Sequence, residues 1–207
     1  MGARGQDSPA RLTAAEFSAR FQAGARVLWT LAAGLLGDPT EAEDVCQEAF
    51  LTAFAKRAQF DPATNFQAWM GRFIRNIAAN ELRKRARRNT LSIDPQVLDE
   101  GPERHNGHAH VAPLAARGPE ATGRELADSG AFDDALLAGL RELGELPRSC
   151  LLLRTLQELS YSEIARLLEI PEGTAMSHVH RARLALRAKL TEDRAPETRA
   201  TRLGVQP

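Results

Sequence analysis

Seven basic side chains crowd into residues 65–88 (Arg72, Arg75, Arg83, Lys84, Arg85, Arg87 and Arg88) against a single acid, Glu81. The chemistry open to such a set is ionic: guanidinium and ammonium groups hold phosphates or carboxylates. From Asp38 to Glu48 the balance inverts, with five acids and no base. A third set, Arg181, Arg183, Arg187 and Lys189, lies in a stretch with no acid between Thr174 and Leu190. The formal net charge of the chain is zero, so the patterning and not the total points to partners. Segregated charge predicts separate contact surfaces. Catalytic signatures are missing: there is no G-x-x-x-x-G-K-[ST], no Cys-x-x-Cys and no G-x-S-x-G. The acids of 38–48 have no paired His beside them. The chain is read as a binding protein that catalyses nothing and needs no cofactor or metal.

The elements that must carry these sets are helical, because apolar residues recur at three- and four-residue intervals and no stretch alternates like a strand. "TAAE" at Thr13–Glu16 and "TEAE" at Thr40–Glu43 have the form of capping boxes. The first opens a helix to about Ala33. The second opens one with Ala42, Val45, Ala49, Phe50, Ala53 and Phe54 on a stripe, and Asp44, Gln47 and Glu48 beside it. After the loop "FDPATN", the stretch "NFQAWMGRFIRNIAANELRKRARR" forms a third helix, docked through Phe66, Trp69, Phe73 and Ile77 with Met70 and Ile74 flanking.

From about Ser92 to Ser129 the pattern gives way to Gly, Pro, Ala and His, too long for an ordinary loop, and reads as a linker. Its His105, His108 and His110 have metal-like spacing but no Cys or fixed scaffold, so a polar linker is the better reading. Periodicity returns at Phe132. Pro147 suits a first helical position, and "SYSE" at Ser160–Glu163 is a third capping box. Pro171 and Gly173 then break the chain before a last helix, so that Ile164, Ala165 and Leu168 pack on Val179, Ala182 and Leu186. This is a helix-turn-helix, whose second helix would present Thr174, Ser177, His178 and Arg181 to a DNA major groove. After Thr191 the sequence reads as a frayed tail. Cys46 and Cys150 lie far apart in apolar patterns and read as buried thiols, as in a reducing cytoplasm. No run of about 18 apolar residues is present and the N-terminus has no secretory core, so neither membrane insertion nor export is expected.

Three segments in order resemble a bacterial sigma factor of the extracytoplasmic-function (ECF) class. They are "GDPTEAEDVCQEAFLTAF", "FDPATNFQAWMGRFIRNIAANELRKRARR" and "LPRSCLLLRTLQELSYSEIARLLEIPEGTAMSHVHRARLALRAKL". The resemblance implies an all-α protein of two small helical domains joined by a flexible linker. Residues 13–91 would be region 2, 92–130 the linker, 131–191 region 4 and 192–207 a tail. It further implies that Asp44, Gln47, Glu48 and Phe50 dock on the coiled coil of the polymerase β′ subunit. The loop from Phe60 to Phe66, with Asn65 and Trp69, would capture a flipped base of the −10 element, and Asn76, Asn80 and Arg83 would lie near the melted strand. Lys84, Arg85, Arg87 and Arg88 would hold phosphates. Thr174, Met176, Ser177, His178, Arg181 and Arg183 would face the −35 duplex. The linker, with Asp94, Asp99, Glu100 and Glu103, would thread toward the active centre of core RNA polymerase. The implied partners are core polymerase (β′ coiled coil and β-flap), promoter DNA and a sequestering anti-sigma factor, all in the cytoplasm.

This sequence departs from the family's habits at Asn80, where Asp is frequent, and at Met176 and His178, where Lys and Arg are frequent. Met bonds neither a base edge nor a phosphate, so an unusual −35 preference or weaker −35 binding is expected. His178 and His180 would be partly charged near neutrality. The alternative is a stand-alone helix-turn-helix regulator on a duplex operator, but such proteins need a dimerisation helix and no long heptad run is present.

Overall fold

The structure is a computed structural model and describes residues 12–91 and 134–200. All the regular structure among the described residues is helical. Helix α1 (Ala14–Leu36) opens with the expected capping box: the Thr13 hydroxyl accepts from the Glu16 N–H, and Glu16 accepts from the Thr13 N–H at 2.9 Å. Those Thr13 hydrogen bonds hold the Glu16 carboxyl below its ordinary range. α1 ends at Gly37, which adopts φ 71° and returns its N–H to the Ala33 carbonyl.

Helix α2 (Pro39–Ala55) starts earlier than expected. Its cap is Asp38, whose carboxylate accepts from Thr40 N (2.8 Å) and Glu41 N (3.3 Å). Thr40 is not a cap, because Pro39 fits the first helical position and needs no partner for a missing N–H. A 3-10 turn at Arg57–Gln59 and an ordered loop lead into α3 (Phe66–Leu91). The three helices close on an aromatic cluster centred on the fully buried Phe17, whose ring meets Phe50, Phe54, Phe66 and Trp69 edge-on at 5.3–6.4 Å. Met70 and Ile74, expected at the flank of the α3 stripe, are its deepest residues, while Trp69 and Phe73 stay half-buried. The buried face of α3 is thus rotated by about a residue from the expected stripe.

The second half has α4 (Asp134–Glu142), α5 (Glu145–Leu156), α6 (Tyr161–Leu168) and α7 (Glu172–Ala200). Pro147 is the third residue of α5, still within the turn that needs no intrahelical donors. Ser160 and Glu163 form the expected capping box, with Glu163 held below its ordinary range by the Ser160 hydroxyl and N–H. Ile164, Leu168, Val179 and Ala182 are buried in the helix-turn-helix, with Ala165 and Leu186 half-covered. The backbone of α7 stays helical to Ala200, beyond the fraying expected after Thr191.

The halves pack against each other, α1 on α5 and α3 on α6. α1 has no basic residue in its last turn, so its carbonyls lack a local counter-charge. Two arginines from elsewhere fill the gap. Arg85 of α3 reaches the Leu36 carbonyl and pairs with Glu41. Arg148 of α5, 6 % exposed, donates to Gly34 O (2.7 Å) and Leu35 O (3.0 Å), and on its other side to Leu143 O (2.8 Å). The approach is close enough that a Cβ on Gly34 would lie 2.7 Å from Ser149 Cα. Nearby, Gln157 Nε2 donates to Thr30 Oγ1 at 3.0 Å.

Candidate nucleic-acid and partner interfaces

On α2, Asp44, Gln47 and Glu48 are exposed and share a face with Leu51, which is 54 % exposed. Phe50 points the other way, into the core, with its ring 4.9 Å from Phe21 and 5.3 Å from Phe17. The aromatic expected in this surface is therefore part of its support, and the apolar contact available to a partner is Leu51. Its spacing, seven after Asp44 and three after Glu48, was the signal that could have found it.

The loop before α3 is built by side-chain to backbone bonds. Asp61 accepts from Ala63 N at 2.9 Å, Thr64 donates to Asp61 O at 2.7 Å, and Asn65 caps α3 by accepting from Ala68 N at 2.9 Å. Residues 61–65 are exposed. Phe60 and Phe66 are 4 % and 8 % exposed and 5.5 Å apart, so they form the floor beneath the loop and offer no open face to a base. Trp69, 5.2 Å from Phe60, is half-covered at the edge of that floor.

Farther along α3, Asn76, Asn80, Arg83 and Arg87 are all exposed on one face. Arg83 Nε donates to Ala79 O, which fixes the stem and leaves the rest of the guanidinium outward. Lys84 pairs with Glu81. Arg85 does not belong to this surface: it is turned inward to Glu41 and the end of α1.

On α7, Met176 (53 % exposed), Ser177, Arg181 and Arg183 line an open recess with Tyr161 and His180. Thr174 is half-covered, and the Ser177 hydroxyl donates to Gly173 O. His178 is half-buried, and its Nδ1 is enclosed without a hydrogen-bond partner. Burial, and then the Arg181 charge, push its pKa below the ordinary histidine value. The partial charge expected of His178 near neutrality is thereby disfavoured, since burial and a neighbouring guanidinium both oppose the imidazolium.

Cys46 is pushed up to about 12 by burial and by Glu43, and Cys150 to about 11 by burial, so neither is poised as a thiolate. Among the described residues no group of His, Cys, Asp and Glu could hold a metal, and no helix is long and apolar enough to cross a membrane. The His105, His108 and His110 cluster, the acids Asp94, Asp99, Glu100 and Glu103, and the rest of the linker reading lie outside the described residues.

The chain matches the family description "Sigma-70 region 2" over residues 21–88 and "Sigma-70, region 4" over 133–186. It is 31 % identical over 167 residues to the ECF RNA polymerase sigma factor SigW of Bacillus subtilis, covering 80 % of this chain and 83 % of that one. It is 33 % identical to the RNA polymerase sigma-H factor of Pseudomonas aeruginosa, covering 72 % of each. Its fold is similar to the sigma factor RpoE of Bartonella quintana, solved with the anti-sigma factor NepR (TM-score 0.57, 23 % identity, 85 % of this chain and 97 % of that one). It is also similar to CnrH, solved with the cytosolic domain of CnrY (TM-score 0.55, 21 % identity, 87 % and 91 %). With both regions present in order, the chain belongs to the ECF sigma factors, which direct promoter-specific transcription initiation and are not enzymes.

Proposed function

We propose that the first half engages core RNA polymerase through the α2 face of Asp44, Gln47, Glu48 and Leu51, with Phe50 as its support. An acidic-polar face around one apolar side chain suits a basic helical partner such as the β′ coiled coil. The loop 61–65 and Trp69 would receive an extruded base of the −10 element, while Asn76, Asn80, Arg83 and Arg87 follow the melted strand. Residues Thr174, Met176, Ser177, His178, Arg181 and Arg183 would face the −35 duplex, with region 4 also resting on the β-flap. The observation that carries this reading is the single exposed face of α3 bearing two amides and two guanidiniums in sequence. Amides satisfy base edges and guanidiniums hold phosphates. One similar structure, that of RpoE, is a complex with the anti-sigma factor NepR, which supports a sequestering partner for this chain as well. Acting on a genomic template with polymerase, it would work in the cytoplasm.

Run-off transcription with purified protein, bacterial core polymerase and genomic fragments tests the reading. Discrete starts that need both proteins are the expected result, and alignment upstream of them reports the −10 and −35 preferences. No starts, with tight binding of the protein alone to a duplex operator, would favour a stand-alone regulator.

A further inference from the structure

Glu169 links the two DNA-reading helices. It follows α6 in the left-handed conformation (φ 54°, ψ 47°), where glycine is favoured and glutamate is not. From there its carboxylate forks onto α3: Oε1 lies 3.3 Å from Arg72 Nε and Oε2 2.7 Å from Arg75 Nη2. Arg75 also donates to the Leu167 carbonyl, and Leu167 lies against Gly71. Arg72 is four residues before Asn76, which is four before Asn80, so it extends the same exposed face that continues to Arg83 and Arg87. Two of the seven basic residues in 65–88 are thus taken up by a carboxylate from the other half.

We propose that Arg72 and Arg75 are a further phosphate-binding pair at the start of the α3 promoter face, and that Glu169 fills this pair while the halves are closed. The proposal rests on the reading of α3 given above. A carboxylate and a phosphodiester present the same pair of anionic oxygens to a guanidinium fork. The closed form and the promoter-bound form exclude each other on length. Elements centred about 10 and 35 base pairs upstream are about 85 Å apart at about 3.4 Å per base pair. The 29 residues of α7 span only about 43 Å, and α7 packs on α6, which packs on α3. Both elements are read only after α6 leaves α3, and that separation withdraws Glu169 and frees the pair for DNA. Closure also taxes polymerase binding, because only the open fraction is competent.

The test uses the full chain and two variants. Glu169→Gly keeps the backbone conformation and removes the carboxylate, so it is not expected to misfold. Its small-angle scattering should show a more extended particle, and its apparent affinity for core polymerase should rise about two- to tenfold, the loss of two partly exposed ion pairs. Arg72→Gln with Arg75→Gln should extend the free chain in the same way. In the holoenzyme it should reduce the slope of log promoter affinity against log salt by about 1–2, at about 0.7–0.9 per phosphate contact. Unchanged scattering and core affinity in Glu169→Gly would overturn the masking. An unchanged salt slope in the double variant would overturn the phosphate pair. Absence of promoter-specific starts from the unaltered protein would overturn the underlying reading and this proposal with it.

Discussion

Arg148 and Gly34 are 114 residues apart in the chain, and the Arg148 Nε–H donates a 2.7 Å hydrogen bond to the Gly34 carbonyl. The same guanidinium reaches Leu35 O in the first half and Leu143 O in its own half, so one side chain terminates α1 and braces the α4–α5 turn. Burial depresses its pKa, but an arginine starts high enough to stay charged through the physiological range.

Arg148→Ala is therefore expected to lower the unfolding free energy by about 2–4 kcal/mol, because buried carbonyls at two helix ends lose a charged donor. Arg148→Lys should recover only part, since a point charge cannot fork between two segments. Urea unfolding measures both, and a loss below about 0.5 kcal/mol for Arg148→Ala would show that water serves these carbonyls equally well.

Gly34→Ala should cost about 1–3 kcal/mol, because its Cβ would meet the Ser149 backbone at 2.7 Å and push α5 off α1. Gly24→Ala makes the control. Its Cβ would meet only the Gln67 side chain at 3.3 Å, which can swing aside, so helix propensity should make it neutral or stabilising by up to about 1 kcal/mol. Equal thermal shifts for the two would contradict the close approach.

The capping carboxylate of Glu163 has a folded pKa below its unfolded value. Its contribution is present above the unfolded value and lost as pH falls through the depressed folded one. Glu163→Gln should accordingly flatten the fall in stability between about pH 5 and pH 3, seen by circular dichroism melts across that range. A curve as steep as that of the unaltered protein would place the acid sensitivity elsewhere.

Both thiols are held well above neutrality, Cys46 at about 12 and Cys150 at about 11. At pH 8 a chromogenic disulfide reagent should react slowly with the native protein and promptly with two thiols after denaturation. Prompt native reaction of one equivalent would identify an opening of α2 or α5.

On promoter DNA, Arg83→Ala with Arg87→Ala should weaken opening on every sequence. Substitution of Met176 or His178 should change −35 preference, each base contact being worth about 1–3 kcal/mol. Competition footprinting on promoters varied at each element separates the two. A uniform loss from both sets would contradict the proposed division of roles between α3 and α7.

Much of this fold is legible locally. Thr13 with Glu16 and Ser160 with Glu163 mark helix starts because capping boxes are satisfied within four residues. Pro171 likewise marks the break of the helix-turn-helix, but Gly173 misleads: the turn is made by residues 169–171, and Gly173 already lies in the first turn of α7. Thr40 misleads because Asp38 and Pro39 form a better start two residues earlier, and a box pattern does not report its competitor. Phe50 is legible as part of the apolar stripe, and packs on Phe17 and Phe21 as that stripe implies, whereas its place in the docking surface came from the resemblance alone. The closure of the halves is illegible in principle. Arg148 reads as one more surface base, and Glu169 as one more surface acid, until residues far away in sequence are brought against them.

The interface of α1 with α5 and α3 with α6 has a practical consequence for dissection. It is built from groups on two separate sequence blocks: Gly34, Thr30, Gly71 and Arg75 on one, Arg148, Ser149, Gln157 and Glu169 on the other. Made as two polypeptides, 12–91 and 134–200 should therefore recognise each other in trans. Fragment complementation, with each piece tagged by half of a reporter, would then turn every agent that pries the protein apart into a loss of signal.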